Sequence, residues 1–261
     1  GSMSVYRNSS YAYRLLGQFL YELEIGDHRF NATIGAEAQE AGNDNFGQSY
    51  ENFDQILGPY GINDVEYTLK SPKPDYSFNK RNLASVISRF QYNYSDRYLF
   101  SATVRADGSS KFGPDNKWGI FPAFGVGWRI SQESFMQNID WLSNLKLRGS
   151  WGKAGNDNID SYLSLAMYGT NYYYAVFGQN RDQIIVPYHP SQIPNFGIGW
   201  ETTAETNIAL DIGILNNRIY ASFDWYNRNT YDMLLDVDLP AIAGVDRQTQ
   251  NKGSLNNRGW E

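Results

Sequence analysis

The sequence predicts an all-β protein: an antiparallel meander of about nine long strands, forming part of a membrane-spanning barrel. Three observations carry this. Apolar and polar residues alternate with period two over stretches of about ten residues, roughly twice the usual strand length. Tight turns alternate with long polar connections. Trp118 and Trp128 mark the two ends of one apolar face, ten residues apart, which is about 25 Å of height once a strand is tilted.

The alternation places strands at residues 11–25, 28–40, 81–94, 97–107, 117–130, 144–152, 200–214 and 218–235, with another starting near 253. The first puts Leu15, Phe19 and Ile25 on one parity and Arg14, Glu22 and Glu24 on the other. The second sets Phe30, Ala32 and Ile34 against Arg29 and Glu37. Gly26-Asp27 between them is a tight turn of residues that tolerate positive φ. Val86 and Phe90 oppose Arg89 in the third strand, and Phe100 and Val104 oppose Arg105 in the fourth, with Ser95-Asp96 as the turn. The fifth carries Ile120, Phe124 and Val126 against Arg129. Pro122 within it predicts a bulge or bend, because proline cannot donate to a ladder.

The link "SQESFMQNIDWLSN" at 131–144 opens on Ser131 with Glu133 in the first turn, the signature of a short helix. Leu145 and Leu147 then oppose Lys146 and Arg148. Ile208, Leu210 and Ile212 oppose Glu201, Glu205 and Asp211, and after Asn216-Asn217 the strand with Asp224 follows. Long connections are expected over 41–80, 108–116, 153–199 and 236–252. In these strands Glu40 is the one carboxylate or base with the parity of the apolar face.

Charge on one face has an energetic reading. Arg or Lys on a lipid-facing barrel position costs about 2–4 kcal/mol at the bilayer midplane. A β-sandwich core would exclude it too, so parity alone leaves both architectures open. The short and long connections on opposite ends favour the barrel, with Tyr94 and Tyr98 joining Trp128 at the short-turn girdle and Trp151 at the other.

The totals exclude several classes. With no cysteine among 261 residues there is no disulfide, thiolate zinc site or cysteine nucleophile. His28 and His189 leave little for imidazole metal chemistry, and no cofactor is indicated. A net charge of −6 argues against a nucleic-acid partner. S-x-x-K at Ser150–Lys153 and Ser143–Lys146 lies on or beside strands and lacks partner motifs. Gly125-Val126-Gly127 lacks the third glycine and helix of a dinucleotide loop. Glu201, Glu205 and Asp224 are a candidate glycosidase carboxylate set, though inward charges of a wet barrel explain them as well. Tyr172-Tyr173-Tyr174, in the longest connection, are candidate ligand-stacking residues, or equally an aromatic plug that packs that connection onto its neighbours.

The blocks "RADGSSKFGPDNKWGIFPAFGVGWRIS" (105–131), "SNLKLRGSWGKAGN" (143–156), "WETTAETNIALDIGILNNRIYASFDWYNRNTYDMLL" (200–235) and "NKGSLNNRGWE" (251–261) together resemble the SusC/RagA family of TonB-dependent outer-membrane transporters. The resemblance implies a 22-stranded barrel plugged by an N-terminal domain. It implies a SusD-like surface lipoprotein and TonB as partners, outer-membrane lipid as surroundings, and energy-coupled import of an oligosaccharide or peptide rather than an enzymatic activity. At about 29 residues per strand such a barrel needs about 640 residues, so residues 4–261 are expected to be a partial barrel domain lacking the plug and last strands. Gly1-Ser2-Met3 reads as a tag remnant. Arg105, Arg129, Arg148, Glu201, Glu205 and Asp224 are the expected lumen contacts. The runner-up is a soluble all-β carbohydrate-binding module, followed by a glycan-processing enzyme.

Overall fold

Period-two alternation leaves each strand's backbone free to pair on both sides, and the computed structural model shows it paired. It describes residues 2–51, 68–69, 74–136, 138–170, 175–177, 183–185 and 188–261. The strands are β1 (Ser2–Ile25), β2 (His28–Glu51), β3 (Thr68–Leu69), β4 (Asp75–Tyr94), β5 (Tyr98–Ser109), β6 (Trp118–Arg129), β7 (Leu142–Asn156), β8 (Met167–Thr170), β9 (Ala175–Phe177), β10 (Gln183–Ile185), β11 (Tyr188–Gln192), β12 (Glu201–Ile214), β13 (Ile219–Tyr231), β14 (Leu234–Asp238), β15 (Arg247–Asn251) and β16 (Ser254–Trp260). One sheet runs in the order β1-β2-β4-β5-β6-β7-β12-β13-β16, with β3 beside β2. This is the expected antiparallel meander.

Two compact units divide the chain. One holds Gly1–Leu15 and Gln39–Asn82, the other Leu16–Ala38 and Leu83–Glu261. In the first, Lys80 reaches Glu40 at 2.8 Å and the Tyr11 hydroxyl donates to the same carboxylate at 3.2 Å. Glu40, the parity exception, is therefore paired. β1, β2 and β4 extend well beyond the stretches whose alternation announces them, through residues such as 41–51 whose two faces are both polar.

In the second unit, exposure inverts the usual rule. Ile120 is 67% exposed, Trp118 60% and Val126 58%, while on the opposite face Asp211 is 6% and Asp107 7% exposed. β6 alternates cleanly between exposed apolar side chains and covered ones along most of its length. A soluble sandwich would hide the apolar face beneath a second sheet. Here that face is bare while acids are covered, which overturns the carbohydrate-module reading and fits a surface solvated by hydrocarbon.

The short-turn end carries the aromatic girdle. His28 Nδ1 and the Tyr92 hydroxyl are 2.9 Å apart, and the His28 ring lies 4.7 Å from Tyr94. Tyr94 stacks on Tyr98 at 6.2 Å. The 131–144 link is not an α-helix. It makes two single 3-10 turns, Ile130–Gln132 and Ser134–Met136, broken by an extended Glu133. Ser131 Oγ caps nothing. Glu133 is the reason for the break: its carboxylate accepts from the Tyr98 hydroxyl at 2.6 Å and the Trp128 indole at 3.0 Å, with Arg97 at 3.5 Å.

Those donors, Tyr98 first, hold the Glu133 carboxyl below its ordinary value. A carboxylate whose folded value is depressed contributes stability that is complete above the unfolded value, about 4.3, and lost as pH falls through the folded one. The thermal midpoint should therefore decline through that acid window, and Glu133→Gln should flatten the decline. A variant whose midpoint tracks pH as the parent does would assign the loss to other groups.

Three further expectations change in detail. The β4–β5 turn spans Ser95, Asp96 and Arg97, with Ser95 and Asp96 at φ 51° and 54°. Asn93 braces it, accepting from the Asp96 backbone N–H at 2.9 Å. The β12–β13 turn spans four residues, Leu215 to Arg218, since Ile214 pairs with Ile219. Pro122 causes no bulge against β5, where it pairs with Val104, but the β6–β7 ladder starts only at Ala123. A residue without an N–H thus sits where one neighbour departs.

Candidate functional site

The polar face is where the chemistry collects, and cross-strand register explains how. Arg148 of β7, Ala209 of β12 and Asp224 of β13 form one row. Ala209, 2% exposed, is small enough for the guanidinium to pass over it. Arg148 Nη2 donates to Asp224 Oδ1 at 2.8 Å and Nε to Asp211 Oδ2 at 3.2 Å. Ser222 completes the cluster, its hydroxyl within 2.8 Å of both Asp211 Oδ1 and Asp224 Oδ2. Two carboxylates thus share one guanidinium and one hydroxyl, a rigid charge-assisted network. Asp211→Ala should destabilise by about 1–3 kcal/mol, because a partly covered cation loses its acceptor. Chemical denaturation of single and double variants with Arg148→Ala should show strong non-additivity.

A second group lies on β4 and β5. Arg105 Nε donates to both oxygens of Asp107, at 2.7 and 2.8 Å, and Nη2 reaches Ser85 Oγ at 3.1 Å. Glu205 accepts from its cross-strand partner Arg228, Nη2 to Oε2 at 2.7 Å. Glu201 accepts the Leu234 backbone N–H at 3.0 Å and the Asn156 amide at 3.1 Å, tying the β14 hairpin to the sheet. Arg129 stands apart at the turn end of β6, where its charge helps hold the Asp96 carboxyl below its ordinary value, after the larger effect of the Asn93 hydrogen bond. Tyr172, Tyr173 and Tyr174 lie outside the described residues.

Structure therefore joins Arg148 with Asp224, and separates that pair from Arg105, Glu205 and Glu201. The arrangement gives the glycosidase reading no support. Asp224 pairs with Ala209, four residues along β12 from Glu205, and Glu205 is four from Glu201. Along the strand that is about 13 Å in each case at a rise of about 3.3 Å, and each acid is engaged elsewhere, Glu205 by Arg228, Asp224 by Arg148 and Glu201 by the Leu234 backbone. Among the described residues no group of three His, Cys, Asp or Glu is placed to hold a metal ion.

Two recesses open on this face. One of about 460 Å³ is lined by Arg29, Asn31, Gln91, Lys146, Arg148 and Asn207. The other, about 400 Å³, is lined by Thr103, Ser150, Thr203 and Glu205 among others. They share Ser101, Gly125 and Ser150, making a continuous trough in which Arg, Lys, Asn, Ser, Thr and Glu side chains alternate with apolar wall. Asp211, Ser222, Asp107 and Ser85 are the members that sequence reading left out of the site. Pairing the strands outward from the Asn216-Asn217 turn would have placed Asp211 beside Ser222.

The family described as TonB dependent receptor-like, beta-barrel, matches residues 2–261. The chain belongs to that family. It is 36% identical over 259 residues to the TonB-dependent receptor SusC of Bacteroides thetaiotaomicron, covering 96% of this chain and 24% of the relative. To the TonB-dependent receptor P26 of Formosa agariphila it is 35% identical over 244 residues, 92% of this chain and 24% of that receptor. The RagAB peptide importer in its closed-closed state superposes with a TM-score of 0.79 at 28% identity, over 99% of this chain and 28% of that one. This TonB-dependent receptor segment spans about a quarter of the length of these relatives. The family assigns it to the outer membrane of a Gram-negative cell, which gives the bare apolar face its solvent.

Proposed function

We propose that this chain forms part of the wall of an outer-membrane importer, and that its polar trough lines the path of an oligosaccharide or peptide. The observation that carries this is the separation of faces: ionic networks and recesses on one side, bare Ile, Val and Trp on the other. Arg148, with Asp211 and Asp224, and Arg105, with Asp107, present fixed donors and acceptors to a polar solute. Arg129, Glu201 and Glu205 extend that surface, and Tyr172, Tyr173 and Tyr174 belong to the outer connection that would meet ligand first. The segment binds and conducts, without a covalent step. Its partners in the whole receptor would be a plug, TonB and a SusD-like surface lipoprotein, consistent with the likeness to SusC and to the RagAB peptide importer.

The test is uptake by cells carrying the full-length receptor, assayed with a panel of labelled oligosaccharides and peptides. Asn207→Trp, which narrows the larger recess without replacing a member of the ion pairs, should reduce uptake of the imported class severalfold while surface abundance stays unchanged. Full uptake by that variant would remove the trough from the path.

A further inference from the structure

Charge is divided unequally across the trough face. From the Leu83–Ser109 pair to the short turns, β4 to β7 present Arg89, Arg105, Arg129, Lys146 and Arg148 on that face, against the one acid Asp107. β12 and β13 present Glu201, Glu205, Asp211 and Asp224 against the one base Arg228. Arg105 is held by Asp107, and Arg148 reaches into the acidic sector for Asp211 and Asp224. Arg89, Arg129 and Lys146 make no ion pair among the described residues.

Two of these three bases stand directly opposite each other, Arg129 on β6 and Lys146 on β7. Like charges so placed destabilise a sheet. The residue opposite Lys146 on its other side, Asp211, is already engaged by Arg148 and by the Ser222 hydroxyl. The Lys146 stem lies across Gly127, where a Cβ would come within 3.3 Å of Cε. The larger recess is lined by three bases, Arg29, Lys146 and Arg148, and by no acid. Arg29 has Glu24 and Asp96 as partners, which leaves Lys146 as the base without one. Outward from the bases, one row of neutral residues crosses five strands: Gln91, Ser101, Gly125, Ser150 and Asn207. The four side chains of that row have no hydrogen-bond partner among the described residues. At Gly125 a Cβ would fall 2.8 Å from Ser101 Oγ, so glycine keeps the floor of the recess open.

We propose that this recess binds an acidic sugar unit, its carboxylate or sulfate facing Lys146 and Arg129 and its hydroxyls facing the neutral row. The inference rests on the trough being the solute path, and it narrows the solute to an anionic oligosaccharide. An anion beside Lys146 and Arg129 relieves their repulsion, and a wall sector of one sign concentrates counter-ions around it. Amides and side-chain hydroxyls both donate and accept, as sugar hydroxyls do. A volume of about 460 Å³ is within the range of small-molecule sites.

The experiment is uptake by cells carrying the full-length receptor. The probes are mixed libraries of uronic-acid and of sulfated oligosaccharides, each beside its neutral counterpart made by carboxyl reduction or desulfation, with depletion of the medium followed by mass spectrometry. One acidic library should be depleted faster than its neutral counterpart, and which one tells carboxylate from sulfate. Arg129→Gln and Lys146→Gln should lower that acidic-to-neutral ratio about threefold for each base removed, the effect of an exposed ion pair, at unchanged surface abundance. A ratio that the double variant leaves intact, even with both rates lowered, would give the two bases to the plug and overturns the proposal. Equal depletion of acidic and neutral libraries by the parent overturns it as well. Uptake of glutamate-rich peptides in place of every sugar library overturns the oligosaccharide assignment while keeping the trough as a path. A parent that imports none of these probes points instead to failure of the trough reading itself.

Discussion

A lysine at Val126 is expected to destabilise the bilayer-embedded receptor by about 2–4 kcal/mol, whereas a lysine at Thr103 costs less than about 1 kcal/mol. The two positions lie on adjacent paired strands, β6 and β5, but on opposite faces. Val126 is 58% exposed on the apolar side, so in the membrane its replacement puts an ammonium in hydrocarbon. Thr103 faces the second recess, where water or solute solvates the new charge. Denaturant unfolding of the full-length receptor in lipid vesicles measures both. Equal losses would mean that both faces meet the same medium.

Phe112→Ala should produce the largest loss outside the hydrocarbon-facing surface, about 3–5 kcal/mol. Phe112 is 1% exposed and Ile198 fully buried, the most enclosed large apolar side chains among the described residues. Phe112 meets Trp200 at 5.0 Å between ring centres, and Phe121 meets the same indole edge-on at 5.3 Å. Phe121 lies across Gly119 and Gly155, where any Cβ would collide with its ring. Hydrogen bonds complete the junction: the Trp200 indole donates to the Lys117 carbonyl at 3.0 Å, and Asn116 to that of Gly197 at 2.9 Å. This small core pins the 110–117 and 193–200 connections to the end of the sheet. Its loss should show as faster proteolysis of 193–200 at temperatures where the strands stay folded. Unchanged cleavage would assign the loop order to the hydrogen bonds alone.

The fifth strand shows why so much of the sheet could be read from residues alone. Trp118, Ile120, Phe124, Val126 and Trp128 share one parity, and a two-residue period is a property of the backbone itself. Where both faces are wet the signal disappears. Residues 41–51 continue β2 but read as a connection, and the β14–β15 hairpin lay hidden inside an expected loop. The 131–144 link misled for a different reason. Ser131 and Glu133 carry a helix-start pattern, but Glu133 is claimed by Tyr98 and Trp128 from neighbouring strands, and that tertiary demand outweighs a local preference.

For the strand candidates of the site, the face was legible and the company was not. Arg148 and Asp224 could be assigned to one side by parity. That they share Asp211 and Ser222, while Glu205 goes to Arg228, depends on which residues stand opposite across β7, β12 and β13.

By itself the sequence determined the strand order, the greasy and charged faces, the unequal connections and the family, because each is written in local alternation or in contiguous blocks. Only the tertiary structure decided register, the Arg148 network and the Phe112 core. Those follow from turn lengths and side-chain fit between strands far apart in the chain, where no local period reaches.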